Sequence, residues 1–467
     1  MISLRPYQQQ AVERVRDSFR TGSKRPLLVL PTGGGKTVCF SHITNGAAAK
    51  GNRVLILVHR QELLNQCHNS LKGIGVESGL ICAGLTQDPS QQVQVASVQT
   101  LVRRLDRVPK PDLIIIDEAH HASAGSWQTV LKHWPEARTL GVTATPCRLD
   151  GKGLGDTFDD LIIGPEVSEL ISGGFLAQPI YYAPKMVDLT GVKTIAGDYS
   201  RHDVAERLDK PTITGDAVAH YAKICPGVPA IAFCSSIKHA NNVADGFNSN
   251  GFRAAVLDGK LSNHERADRI KGLAEGRYHV LTSCDIISEG TDIPVVTAAI
   301  LLRPTQSLGL HLQQIGRVLR PAPNKPNAII LDHVGNVIDR HGLAEEHRDW
   351  SLEGEKKGKR SKALAQGPKY TQCPTCYAVH SPAPQCPQCG AVKEVKERSP
   401  EQVDGTLEQL QIDHAALVAL REQKRKQGQA QSMGDLIKLG KARGMKNPVG
   451  WAHYVFAARQ KKRGIVA

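Results

Sequence analysis

The stretch Leu27 to Thr37, LLVLPTGGGKT, joins an apolar run to a glycine-rich turn and then a helix start, and few folds accommodate that join. Leu27 to Leu30 read as a buried strand, and Gly35-Lys36-Thr37 closes the turn. Glycines let the backbone curl until several N–H groups point at one place. A helix beginning there adds its positive end. Such a cradle suits a triphosphate, with Lys36 reaching the β- and γ-phosphates and the Thr37 hydroxyl helping to hold Mg²⁺. Leu30 stands where the general GxxxxGK[ST] pattern has its first glycine, so a glycine-rich loop with a chance GKT is the competing reading. A dinucleotide GxGxxG loop is excluded, because its last glycine would fall on Val38.

Short apolar runs recur after this loop. Val54 to Val58, Val93 to Ala96, Leu113 to Ile116 and Leu140 to Val142 alternate with helix-like segments such as Gln61 to Leu71. Runs apolar on both faces and separated by helices predict a parallel sheet covered on both sides. Ligands of such sheets sit at the carboxyl ends of the strands. One such end delivers Asp117-Glu118-Ala119-His120. Its aspartate can anchor Mg²⁺ and its glutamate can take a proton from an attacking water. The next end carries Thr143-Ala144-Thr145-Pro146, two hydroxyls that either sense a γ-phosphate or cap a turn. Upstream, Leu4-Arg5-Pro6-Tyr7-Gln8 opens a helix through Phe19. The Gln8 amide can pair with adenine, although a solvent-facing role is favoured by these residues alone.

The pattern loosens from Gly151 to Pro184, where the first domain is expected to end. Asp188 to Pro211 is polar and reads as a loop. A second alternating run follows: Ala230 to Phe233, Ala254 to Leu257, Val280 to Thr282, Ala298 to Leu302 and Ala328 to Leu331. This predicts a second parallel α/β domain without a phosphate loop. It contains Glu289-Gly290-Thr291-Asp292-Ile293-Pro294 and, later, Gln313-Gln314-Ile315-Gly316-Arg317-Val318-Leu319-Arg320-Pro321. Arg317 and Arg320 are three apart, so on a helix they share a face and suit phosphate oxygens; a pair of surface arginines is the alternative.

Charge is distributed unevenly. Of the net +14, residues 351–467 carry +11 and residues 1–350 only +3. A basic appendage on a near-neutral body points to a polyanion, most simply nucleic acid, against a solvated basic tail. No apolar run approaches the roughly 20 residues of a membrane span, and MISLRPYQQQ has no apolar signal core, so a soluble cytoplasmic chain is expected. Seven cysteines, 39, 67, 82, 147, 225, 234 and 284, are scattered and read as small core residues. Cys373, Cys376, Cys386 and Cys389 cluster as two CxxC turns. Two such turns direct four thiolates at one ion, which predicts structural zinc with no open position; a redox CxxC is the alternative.

Taken in order, LRPYQ, PTGGGKT, LVHRQELLNQ at 57 to 66, DEAH, TATP, SEGTDIP and QQIGRVLRP resemble a superfamily-two helicase with a DEAH box. The resemblance covers roughly residues 1–345, and a missing first glycine is normal for that family. It implies two RecA-like domains with ATP between them. Carried over by position, Arg5 and Gln8 would recognise adenine. Thr32, Gly33, Gly34, Gly35, Lys36 and Thr37 would bind phosphates, with Thr37 and Asp117 on Mg²⁺. Glu118 would activate water; His120, Thr143 and Thr145 would couple hydrolysis to nucleic acid. Gly290, Asp292, Gln313, Arg317 and Arg320 would complete the site from the second domain, with Arg320 at the arginine-finger position. GRVLRP, with GKGLGDTF and GFLAQP, resembles DNA repair and restriction-type helicases, and the layout resembles the bacterial RadD-like group, which carries a four-cysteine zinc site after the motor.

The expected organisation is therefore α/β: RecA-like domains at 1–165 and 175–345, a basic linker at 351–370, a zinc ribbon at 371–391, and a basic helical nucleic-acid-binding region at 400–467. In that last region Thr406 with Gln409 reads as a capping box for a helix through about Gln427. Asn447-Pro448 reads as a second start, with Trp451 and Tyr454 in a small helical core. The reading is an ATP-dependent DNA helicase or translocase in repair or recombination, nucleoid-associated, using ATP, Mg²⁺ and structural Zn²⁺. Single-stranded or forked DNA is the expected partner, and the RadD-like resemblance adds a single-stranded-DNA-binding protein or a recombinase. The alternatives are a DNA-binding or annealing protein switched by ATP, the motor of a restriction complex, and an RNA helicase.

Overall fold

The computed structural model describes residues 3–85, 87–148, 150–183, 194–195, 198–200, 204, 211–284, 293–354, 370–392, 430, 432–445 and 447–462. It divides into two compact units, 1–394 and 395–467.

The first unit opens with helix α1 (Pro6–Arg20), then strand β1 (Pro26–Val29) and helix α2 (Lys36–Ala48). Next come β2 (Val54–Val58), α3 (Gln61–Lys72), β3 (Gly79–Ile81), β4 (Val93–Ser97) and α4 (Val98–Leu101). β5 (Leu113–Asp117), α5 (Gly125–His133), β6 (Arg138–Thr143) and β7 (Asp160–Ile163) complete a seven-stranded parallel sheet in the order β3-β4-β2-β5-β6-β1-β7. Successive strand residues enter opposite layers. Leu55 and Leu57 pack with Trp127, Val130 and Phe158, whereas Val54, Ile56 and Val58 pack with Val12, Phe40 and Leu64. That two-residue period, with both faces covered, is why the strands are apolar throughout.

Helix α6 (Val167–Ser172) leads to β8 (Gln178–Tyr182). A short hairpin, β9 (Thr194–Ile195) with β10 (Asp198–Tyr199), precedes α7 (Pro211–Ile224). The second sheet adds β11 (Ala230–Phe233), β12 (Ala254–Leu257), β13 (Val280–Ser283), β14 (Ala298–Leu301) and β15 (Asn327–Asp332) to β8. All pairs are parallel, in the order β12-β13-β11-β14-β15-β8. Helices α8 (Ile237–Ser249), α9 (Asn263–Ala274) and α10 (Leu308–Val318) connect them. The fold is thus two tandem RecA-like parallel α/β domains.

Three findings depart from the expectations. β7 and β8 both lie in the stretch where the pattern loosened. β8 contains Pro179, which argues against a central strand but is tolerated at the sheet edge that β8 occupies. Arg317 and Arg320 do not share one helix face, because α10 ends at Val318. Pro321 disfavours helical geometry at Arg320, so the helix stops before it. Finally, the chain after β15 returns to the first domain: Trp350 and Leu352 pack on its core, Gly155 N–H donates to Leu352 C=O at 2.9 Å, and Lys152 pairs with Gly354.

The second unit is described as a helical hairpin, α11 (Met433–Ala442) and α12 (Pro448–Lys462). Ser432 caps the first through Asp435 N–H at 3.1 Å, and Asn447 Oδ1 accepts from Gly450 N–H at 2.9 Å at the start of the second. Leu436 and Ala452 are fully buried between them, and Arg443 lies 5.3 Å over the Trp451 ring, in keeping with a small helical core. The Thr406 capping box and the Tyr454 side chain lie outside the described residues, as does most of the linker.

Phe158 is 1% exposed and its ring covers Gly141 of β6. Phe158→Ala should cost the first domain about 3–5 kcal/mol, read as a lower urea midpoint for its unfolding transition.

Candidate ATP-hydrolysis site

The carboxyl end of β1 runs into Pro31-Thr32-Gly33-Gly34-Gly35, and Lys36 and Thr37 open α2. Gly33 and Gly35 have φ of 86° and 81°, a left-handed geometry that side chains resist. At Gly35 a Cβ would also stand 2.2 Å from Gln8 Nε2. Distant in sequence but adjacent in space, β5 ends at Asp117. The Lys36 ammonium lies 3.7 Å from Glu118 Oε1. Glu118 itself adopts φ 50°, a strained value for a residue with a side chain, and its N–H donates to Asp117 Oδ1 at 3.0 Å. Burial, reinforced by Glu118 and opposed by Lys36, pushes the Asp117 carboxyl up to about 6. Glu118 Oε2 is buried without a hydrogen bond among the described residues, 3.4 Å from His120 Nδ1. A curled loop with no room for side chains, one ammonium and two buried carboxylates fit a triphosphate with a divalent cation. Thr37 and Asp117 carry oxygen donors of the kind that would hold that cation.

The residues expected to face adenine converge on the same loop. Gln8 is 4% exposed, which overturns the solvent-facing reading. Its Nε2 donates to Gly34 C=O at 3.3 Å, and its Oε1 accepts from Arg5 N–H at 2.9 Å. Tyr7 adds a second donor to Gly34 C=O at 3.0 Å. Sequence reasoning did not single out Tyr7. It also missed Phe175, whose ring lies 4.9 Å from the Arg5 guanidinium and 5.1 Å from the Tyr7 ring. The aromatic in LRPYQ was a usable signal for Tyr7; Phe175 lay in the stretch without a clear pattern.

His120, Thr143 and Thr145 form one buried chain. His120 Nδ1 lies 3.2 Å from Thr143 Oγ1, which donates to Thr145 C=O at 2.9 Å. The second domain closes on this end of the sheet. A Cβ on Gly309 would lie 3.0 Å from Thr145 Oγ1, and one on Gly316 only 2.3 Å from Thr32 Cβ. Gln313 and Arg317 are buried on α10. Beyond the helix, the Arg320 chain reaches the phosphate loop: a Cβ on Gly33 would sit 3.6 Å from Arg320 Cγ. Gly290 and Asp292 lie outside the described residues.

Residues 1–148 match the family described as type III restriction enzyme, res subunit, and residues 216–322 match the helicase conserved C-terminal domain. A Lactococcus phage (isolate 7-9) chain called a 51.5 kDa protein is 40% identical over 351 residues, 75% of this chain and 74% of its own. The chain belongs to the superfamily-two helicases. It is accordingly a nucleic-acid-dependent ATPase of helicase type. The putative ATP-dependent helicase IRC3 of Saccharomyces cerevisiae is 32% identical over 357 residues, 71% of this chain and 51% of its own. The DNA-bound ATP-dependent Type ISP restriction-modification enzyme LlaBIII shares the fold, with a TM-score of 0.53 and 20% identity over 71% of this chain and 28% of that one. The helicase thus spans about half of the yeast relative and about a quarter of the restriction enzyme. Among its described residues no helix is long and apolar enough to cross a membrane.

The helicase carries its four clustered cysteines beside the second domain. β16 (Thr371–Gln372) and β17 (Val379–His380) form a small hairpin. The four thiol sulfurs lie within 4.8 Å of one another, with Cys373–Cys389 at 3.7 Å and Cys376–Cys386 at 3.8 Å. A tetrahedron of sulfurs about 2.3 Å from zinc has edges of about 3.8 Å, so the cluster is compatible with zinc. Backbone N–H groups, that of Cys376 foremost, hold the Cys373 thiol down at about 6. The ribbon is joined to β8: Ala183 N–H donates to Tyr377 C=O at 3.1 Å, and Tyr182 bridges Ala378. It therefore covers the outer edge of the second sheet rather than hanging from the end of the motor. The purified protein should contain one zinc, lost in Cys373→Ser/Cys386→Ser. The same change should lower the melting temperature of the second domain by several degrees or more, measured by metal analysis and calorimetry.

Proposed function

We propose that this protein is an ATP-driven DNA helicase or translocase of the RadD-like kind, acting in DNA repair or recombination. The observation that carries the motor reading is the approach of the second domain to the phosphate loop, with Arg320 beside Gly33 and Gly316 against Thr32. In this reading Lys36 and the loop N–H groups hold the β- and γ-phosphates. Glu118, set by its strained backbone and by His120, takes the proton from the water that attacks the γ-phosphorus. Arg320 meets the charge that develops on the transferring group. Thr37 and Asp117 would hold Mg²⁺, which would supply positive charge to the phosphate oxygens. Because Lys36 and Arg320 belong to different domains, the γ-phosphate bridges them, and its loss frees the domains to part. Alternate gripping of a backbone by two domains then yields movement that is largely independent of sequence.

DNA is favoured by the basic residues 351–467 and by the DNA bound to LlaBIII, a protein of the same fold. The restriction-type description of the first-domain family supports the motor of a restriction complex as a second reading. The four-cysteine ribbon, read as structural zinc, accords with the RadD-like layout.

Lys36→Ala should abolish turnover. Arg320→Ala should lower kcat by about 10³ or more while nucleotide binding changes little. Hydrolysis measured against single-stranded DNA, duplex, forks and RNA checks both the chemistry and the polymer. Unchanged turnover in Lys36→Ala rules out the assignment, and stimulation by RNA alone rules out the DNA reading.

A further inference from the structure

We infer that three consecutive residues of the connector between the domains, Phe175, Leu176 and Ala177, make adenine recognition a condition for seating Arg320, with Phe175 as the positioning residue. The inference rests on the ATPase reading above and deepens it.

Each of the three touches a different part of the site. Phe175 lies under the Arg5 guanidinium at 4.9 Å and packs its ring at a tilt of 59° against Tyr7, 5.1 Å away. Arg5 in turn donates its backbone N–H to Gln8, and Gln8 and Tyr7 both hold Gly34 C=O. Leu176 is 3% exposed and packs on the phosphate loop, where a Cβ at Gly33 would stand 2.9 Å from its Cδ2. Ala177 N–H donates to Leu319 C=O at 2.7 Å, and Leu319 is the residue before Arg320. The segment cannot slide freely at its other end, because Phe175 and Leu176 N–H both bond Leu170 C=O, at 2.8 and 3.1 Å.

The physical consequence is direct. A purine packed against the half-buried Arg5 side chain would fix the guanidinium plane, and that plane is the surface on which Phe175 rests. A base that pairs badly with the Gln8 amide leaves Arg5 and Phe175 loose. The looseness is passed along three residues of backbone to Leu319. Base identity should therefore register in kcat as well as in KM.

The test is steady-state hydrolysis of ATP and GTP by the full chain with saturating single-stranded DNA. Wild type should prefer ATP by about tenfold or more in kcat/KM, and Phe175→Ala should lose most of that preference, with ATP turnover falling and GTP turnover nearly unchanged. Phe175→Tyr should retain it. Phe175→Leu, which keeps apolar volume without a ring face, should behave like the alanine variant and guards against simple misfolding. The inference is overturned if wild type shows no base preference, if ATP and GTP fall together, or if the leucine variant discriminates as well as wild type. A Lys36→Ala protein that still hydrolyses ATP would instead bring down the underlying ATPase reading.

Discussion

One approach between the domains sets the geometry of the whole site: the last turn of α10 lies on the phosphate loop where Gly316 meets Thr32. No side chain fits between them. A methyl group at Gly316 would overlap Thr32 and push the second sheet away from the first, carrying Gln313, Arg317 and Arg320 with it. Glycine here does not serve an unusual φ; it serves distance. The chemistry of a split site needs its two halves within reach of one phosphate, and that reach is set by an absent Cβ. The carboxyl ends of β1, β5 and β6 supply the loop, Asp117 and Thr143 to one side of this seam. α10 and the residues just past its end supply the other.

Two further strands of chain keep the halves in register. The connector through α6 leaves the first domain near Gly164 and enters the second at β8. The stretch from Ala344 to Gly354 runs back, with Trp350 and Leu352 packed against the first core. His347 bonds Glu166, the capping residue of α6, so the outgoing and returning segments are joined to each other. Arg348 ties the return down by donating to the carbonyls of His341, Leu343, Ala344 and Glu346. Domains joined at two places can rock but cannot drift apart. Any opening of the seam would then be a small rotation about these crossings. The cysteine ribbon acts at a different edge. By pairing at Tyr182 and Ala183 it covers the carboxyl end of the β8 edge.

Much of this was legible in the residues, and the reasons are specific. The central strands were readable because both of their faces are buried, so Val54 to Val58 and Leu113 to Ile116 contain no polar break. The glycine loop and the Asp117-Glu118 pair stand where the sequence placed them, at the carboxyl ends of β1 and β5, because a buried strand ending in polar residues marks itself in the sequence. The edge strands were not. β7 has only three apolar residues after Asp160, and β8 carries a proline that only an edge admits. Gln8 was misjudged because a helix position says nothing about what folds over it; its burial comes from Gly34 and Gly35, more than twenty residues along the chain. Phe175 illustrates a further limit. Its partners, Arg5 and Tyr7, lie at the other end of the domain, and a local pattern cannot report a contact over that separation. Arg320 was assigned to a helix face by counting, whereas Pro321 already argued that the helix had stopped.

The electrostatics of the pocket explain why nucleotide and cation must arrive together. Asp117 and Glu118 are both buried and face one ammonium, that of Lys36, so the first domain alone holds an excess of negative charge beside a loop shaped for phosphates. Burial is the main reason the Asp117 carboxyl is displaced upward, and the neighbouring Glu118 charge adds to it. A triphosphate brought in by itself would set more negative charge against the same carboxylates in a poorly screened place. Asp117 and Thr37 would hold a divalent cation, whose charge would offset that repulsion, and Lys36 would then be available to the phosphates. The strained backbone at Glu118 fits the same logic, since it turns the carboxylate towards Lys36 and His120 rather than out to solvent. Guanidinium groups from the second domain are then the remaining source of positive charge for the γ-phosphate. A site balanced in this way has a physical reason to close when the full set of charges is present and to open when one of them leaves.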